Sequence, residues 1–164
     1  MIKAHTHPLQ KILESRIAII DGAMGTTIRT YGMTEAYIRG ERFKNSTKDL
    51  KNNGDLFSLT QPQMIGDIHR RFIEAGADII ETNTFGATSI TQSEFFVEDP
   101  RETGGRKDPA FYQKVIDDEF LNGLAWEINE QSARQCRGWA DRVGNETGRQ
   151  RFVAGAIGPL TVSL

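Results

Sequence analysis

The sequence predicts an α/β fold with three parallel strands. Three observations predict it. Apolar runs recur at residues 17–20, 78–81 and 152–157, each ending in glycine and small or polar residues. Unbroken runs of this kind suit strands covered on both faces of a parallel sheet. Between them lie segments with apolar residues at spacings of three and four, the mark of helices packed on such a sheet. The chain has 164 residues, enough for one domain with a core, and 38% are hydrophobic.

Residues 1–10 read as a tail. His5 and His7 are spaced to reach one metal, but rigid elements, not termini, usually carry metal sites. Residues 11–16 form a polar, helical lead-in. The first strand, 17–20, runs into Asp21-Gly22-Ala23-Met24-Gly25-Thr26-Thr27. An acid at that point has three roles open to it: capping the next helix, bracing the turn, or facing a pocket and holding a cation. Residues 27–31 start a helix. Residues 26–59 make a long connection, punctuated by Gly32, Gly40 and the turn signal Asn52-Asn53-Gly54-Asp55. Connections of this length are often functional or cover a ligand, though a surface excursion is the plain alternative.

Thr60-Gln61-Pro62-Gln63 predicts a helix start with a capping box and proline in the first turn. Ile65, Ile68 and Phe72 form its stripe, and Gly76 ends it. His69 falls on the solvated side or the stripe's edge, which favours a structural histidine over a ligand or base. The second strand comes next, then Thr82, Asn83, Thr84, Phe85 and Gly86. Residues 98–110, rich in charge, proline and glycine, read as a surface insertion. Helix returns from Phe111, with Leu121, Leu124, Ile128, Trp139 and Val143 near one face. Cys136, at the edge of that face, fits a partly buried structural thiol better than a nucleophile. Residues 144–150 read as a loop and 151–159 as the third strand.

The totals restrict function. A net charge of −2, from 22 acidic and 20 basic residues, gives no reason to propose nucleic acid or an anionic membrane as partner. No run approaches the roughly 20 apolar residues of a membrane span. One cysteine precludes an internal disulfide framework and fits a reducing, cytoplasmic compartment. The first turn lacks Gly-x-Gly-x-x-Gly, so a dinucleotide site has no support. A doubly wound sheet and a (β/α)₈ barrel both remain open on these grounds.

Asp21-Gly22-Ala23-Met24-Gly25-Thr26, Arg39-Gly40-Glu41-Arg42-Phe43, Asn53-Gly54-Asp55-Leu56, Thr60-Gln61-Pro62, Ala75-Gly76-Ala77-Asp78-Ile79-Ile80-Glu81-Thr82-Asn83-Thr84-Phe85 and Phe152-Val153-Ala154-Gly155-Ala156-Ile157-Gly158-Pro159 together resemble the amino-terminal homocysteine-binding module of cobalamin-dependent methionine synthases. The order and spacing match over most of residues 17–159. The resemblance implies the amino-terminal portion of a (β/α)₈ TIM barrel, incomplete here, over residues 11–164. It implies methyl transfer to homocysteine to make methionine, with cobalamin and methyltetrahydrofolate in the complete enzyme and the rest of the barrel and the folate and cobalamin modules as partners. It implies that Asp21 takes the substrate's amino group, that Gly22, Ala23 and Met24 take its carboxylate, and that Thr82, Asn83 and Thr84 line the same mouth.

The resemblance also implies a zinc ion held by three cysteines, which deprotonates the substrate thiol. Those cysteines are absent, and Cys136 matches none of them. The other departures are Ala23, where the family usually has a second glycine, the insertion at 98–110, and residues 160–164. The chain is therefore expected to hold the amino-acid clamp without the metal centre, and to be inactive alone. Two rivals are a fragment of a betaine-type zinc-dependent homocysteine methyltransferase and a noncatalytic remnant.

Overall fold

In this computed structural model, residues 7–158 are described. His5 and residues 159–164 lie outside them. Helix α1 (Pro8–Ser15) begins within the segment read as tail. His7 caps it, its Nδ1 accepting from the Leu9 amide at 3.2 Å, and Pro8 stands at N1, where the missing N–H costs nothing. The His7 ring lies 5.6 Å from that of Phe152, and Arg16 forks onto Asp78 at 2.6 and 2.7 Å. Both partners stand at the amino ends of strands, so α1 lies against that end of the sheet.

The regular sheet has two strands, β1 (Ile79–Glu81) and β2 (Phe152–Ala154), parallel with Ile79 opposite Phe152 and Glu81 opposite Ala154. The first predicted strand does not form as such. Residues 17–20 supply one parallel bridge, Ile20 to Ile79, and Ile19 accepts from the amides of Asp78 and Ile79. Nor is this run buried on both faces: Ile17 is 85% exposed and Ile20 50%. The segment sits at the sheet edge, bonded on one side only among the described residues, and a single bridge does not make a ladder.

Helices α2 (Met24–Thr30), α3 (Glu35–Arg39) and α4 (Phe57–Thr60), the last entered through a 3₁₀ turn at Gly54–Leu56, occupy the long connection. Helix α5 (Pro62–Glu74) then returns to β1. Its predicted capping box is not made. Thr60, its expected cap, ends α4 instead, Gln61 takes the cap position, and no side-chain cap bond forms. Its end is as predicted. The Gly76 amide bonds to Ile73 O at 3.0 Å and the Ala77 amide to Phe72 O at 3.1 Å, a Schellman pair that needs Gly76 at φ 116°. Ile65 and Ile68 are fully buried, but so is His69, which the sequence placed at the stripe's edge.

Helix α6 (Ser89–Phe96) was not predicted, because Ile90, Phe95 and Phe96 share no helical face. It buries polar groups instead. Gln92 and Asn53 exchange amide hydrogen bonds at 2.7 and 3.2 Å. The predicted insertion carries a 3₁₀ turn at Pro100–Thr103 and leads into α7 (Pro109–Asp117). Helix α8 (Glu119–Thr147) runs through part of the predicted loop and stops at Gly148, φ 66°. Among the described residues no helix is long and apolar enough to cross a membrane.

Helix α8 packs along α5 and over both strands. Ile73, Ile80, Cys136, Ala140 and Val143 fill the space between helices and sheet, each fully buried isoleucine contributing about 2 kcal/mol. The three extended segments lie side by side in chain order, all parallel. Such an order occurs in a barrel winding one way and equally in one half of a doubly wound sheet, on either side of its switch point.

Candidate functional site

The chain leaves each extended segment at the same end of the sheet, where parallel α/β folds bind ligands. There Asp21, Gly22, Ala23, Met24, Thr82, Asn83 and Thr84, the predicted site residues, line one open cleft of about 490 Å³. Ala156 comes from the end of β2, and Arg29, Gly54 and Asp55 from the long connection.

Asp21 does not cap α2. The cap position belongs to Ala23, with no side-chain bond. Asp21 Oδ1 instead accepts from the Glu81 amide at 3.0 Å, bracing the edge segment against β1. No other residue donates to this carboxylate among the described residues. Burial pushes its pKa up to about 6, the Glu81 N–H working against that rise and the Glu81 charge adding to it. The group is thus poised to be stabilised by a cation. The amides of residues 22–26 donate to no acceptor among the described residues. Ala23 holds φ 55° and ψ 28°, a left-handed conformation that costs a residue with a Cβ roughly 1–2 kcal/mol.

Thr82 and Thr84 do other work. Their hydroxyls share a 2.7 Å bond. Thr82 Oγ1 accepts from the Ala156 amide at 3.0 Å and Thr84 Oγ1 donates to Ala156 O at 2.8 Å. Both threonines are buried, and these bonds commit them to tying the two strand ends together. Asn83 donates to Gly54 O at 2.8 Å and Ser58 Oγ at 3.1 Å, while Ser132 Oγ donates to Asn83 O at 3.2 Å.

Two acids of the cleft were missed. Glu81 shares a strand face with Ile79 by simple alternation, while Ile80 points back to α8; that period was the available signal. Asp55 ends the turn signal Asn52-Asn53-Gly54-Asp55, which marked the place without its use. With Asp21 they make the lining predominantly acidic, against Arg29.

The described residues do not fit a metal. Among the described residues no three His, Cys, Asp or Glu side chains gather to hold one. The Cys136 sulfur is fully buried behind β1, 3.7 Å from Ile80 O, and burial pushes its pKa up to about 12. It is a structural thiol, and more deeply buried than predicted.

Fold and site define a parallel α/β segment with an acidic cleft at the carboxyl ends of its strands. The chain belongs to the homocysteine S-methyltransferase family, whose sequence model matches residues 18–164. Among solved structures it is similar to the homocysteine methyltransferase MmuM from Escherichia coli. The metallated form matches at TM-score 0.57 and 19% identity, over 93% of this chain and 42% of that one. The oxidized form matches at 0.58 and 18%, over 94% and 41%. The chain thus spans about two fifths of the length of those structures. At such identities the likeness establishes the fold.

Proposed function

We propose that the cleft binds the amino-acid end of homocysteine within a methyltransferase barrel of the methionine synthase kind. The observation that carries this is the convergence of a half-buried, singly braced carboxylate with the free amides of one turn. Asp21 takes the ammonium and the amides of Gly22, Ala23 and Met24 take the carboxylate, so one α-amino acid satisfies both. Pairing with an ammonium also offsets the burial cost of the Asp21 charge. The motifs spread over residues 17–159 favour the cobalamin-dependent type, which would place cobalamin and methyltetrahydrofolate in partner modules. Zinc would activate the thiol in a complete domain, held by cysteines that this chain, with its single Cys136, does not supply. The chain alone therefore binds substrate without transferring methyl groups.

Calorimetric titration of this chain tests the clamp. Homocysteine is compared with 4-mercaptobutanoate, which lacks the amino group, and 3-aminopropanethiol, which lacks the carboxylate. Each analogue should bind at least about tenfold more weakly, the scale of one charge-assisted contact. Affinity for homocysteine should fall as pH drops below about 6, where Asp21 takes up its proton, and Asp21→Asn should remove that dependence. Equal binding of 4-mercaptobutanoate and homocysteine would refute the assignment of Asp21.

A further inference from the structure

The turn Asn52-Asn53-Gly54-Asp55 stood out in the sequence, and substrate binding leaves it without a role. In the fold it grips the loop after β1 at two points. Gly54 O accepts from Asn83 Nδ2 at 2.8 Å. The two Asp55 carboxylate oxygens both accept from the Gly86 amide at 3.1 Å. Thr84 and Phe85, which line the cleft, lie between those two points. The fit admits no side chain at residue 86: a Cβ there would stand 2.8 Å from Asp55 Oδ2 and 2.9 Å from Thr91 Cγ2. The far side of the loop is held by the Gly158 amide on Phe85 O at 3.0 Å. Asp55 belongs to the 3₁₀ turn Gly54–Leu56, whose Leu56 is fully buried, so the grip stands on a fixed base.

We propose that Asp55 is a positioning residue, whose carboxylate holds the loop Thr84-Phe85-Gly86 in the arrangement that shapes the homocysteine cleft. The effect on substrate rests on the cleft reading above; the effect on the loop does not. Asp55 carries charge for the purpose, since an N–H bonded to a carboxylate is held more strongly than one bonded to a neutral acceptor. Burial raises its pKa while the Gly86 N–H opposes the rise, as expected of a carboxylate kept for its bond and not for solvation. Arg29, also in the cleft, makes no bond to it.

The test uses the ¹⁵N-labelled chain with Asp55→Asn and Asp55→Ala. Asparagine keeps one neutral acceptor and alanine none. The Gly86 amide proton, shifted downfield by the carboxylate, should move upfield in graded steps from wild type to Asn to Ala. The Thr84 and Phe85 amides should move with it, while those of Ile65 and Leu124 stay in place. Homocysteine affinity should fall about tenfold in Asp55→Asn, with helical content unchanged. If the Ala variant does not fold, the Asn variant alone decides. Unmoved loop amides in Asp55→Asn, or a lower melting point with loop shifts and homocysteine affinity both unchanged, would overturn the proposal. If wild type binds no homocysteine, the cleft reading fails and the loop amides still decide whether Asp55 positions them.

Discussion

His69 offers a direct measurement of what burial costs in this core. It lies on α5, fully buried, and neither ring nitrogen has a hydrogen-bond partner among the described residues. Burial alone lowers its pKa from 6.5 to about 4. Between those values the unfolded chain takes up a proton that the folded chain refuses, so stability must fall as pH falls. At roughly 1.4 kcal/mol per pH unit the full window removes about 3 kcal/mol. His69→Leu, close in volume, abolishes that loss and also removes two unpartnered buried nitrogens, which adds about 1–2 kcal/mol at neutral pH. Asp21 works in the opposite sense. Its folded pKa is raised to about 6, so its contribution makes the protein less stable as pH rises from about 4 to 6. That contribution is common to both proteins and cancels in their difference. Urea unfolding of wild type and His69→Leu at intervals from pH 7 to 4 is the assay. The gap between the curves should widen by about 3 kcal/mol toward pH 4. Parallel curves would mean that the imidazole is hydrated or paired in solution, and the reasoning from burial would fail.

Three further outcomes rest on the same geometry. Ala23→Gly should raise stability by about 0.5–1 kcal/mol, the relief of a left-handed alanine less the added freedom of an unfolded glycine, read as a melting point higher by about 1–4 °C. Asp78→Asn should cost about 3 kcal/mol in urea unfolding, because buried Arg151 loses the carboxylate shared with half-exposed Arg16 and Arg149. The Arg16 fork holds the Asp78 pKa well below the carboxylate range, so wild type keeps this contribution above about pH 4 and loses it as acid drives the pH toward the depressed value, whereas the variant does not. Cys136 should resist iodoacetamide in the native chain at pH 8 and react at once in urea, monitored by mass; ready native alkylation would contradict its burial.

Much of this architecture is written in local signals. Gly76 announced the end of α5 because only a residue without a Cβ closes that turn easily. The two strands were read from apolar runs, and the site residues from the family resemblance of the motifs that end those runs. What escaped is what depends on partners distant in sequence. Residues 17–20 look like a core strand, yet their burial depends on which elements lie beside them. Thr60 and Gln63 fitted a capping box, but Thr60 closes α4 and Gln61, its side chain on the Tyr37 carbonyl, takes the cap position. Helix α6 buries Gln92 because Asn53 waits for it, a pairing no periodicity reveals. Asp21 had three readings, and the Glu81 amide 60 residues away selected bracing as its structural role. The cleft was therefore legible as a place, while the division of labour among its residues was not.

The hydroxyl ties of Thr82 and Thr84 bear on how this mouth can change. Backbone pairing ends with the Thr82 amide on Ala154 O, and beyond it two side chains take over the stitching to Ala156. Serine could serve at either position, whereas valine, equal in shape, would strand a donor or acceptor at Ala156. These threonines answer to the neighbouring strand before they answer to any ligand. Variation in what the mouth accepts has freer play at Arg29, whose side chain no such seam holds among the described residues.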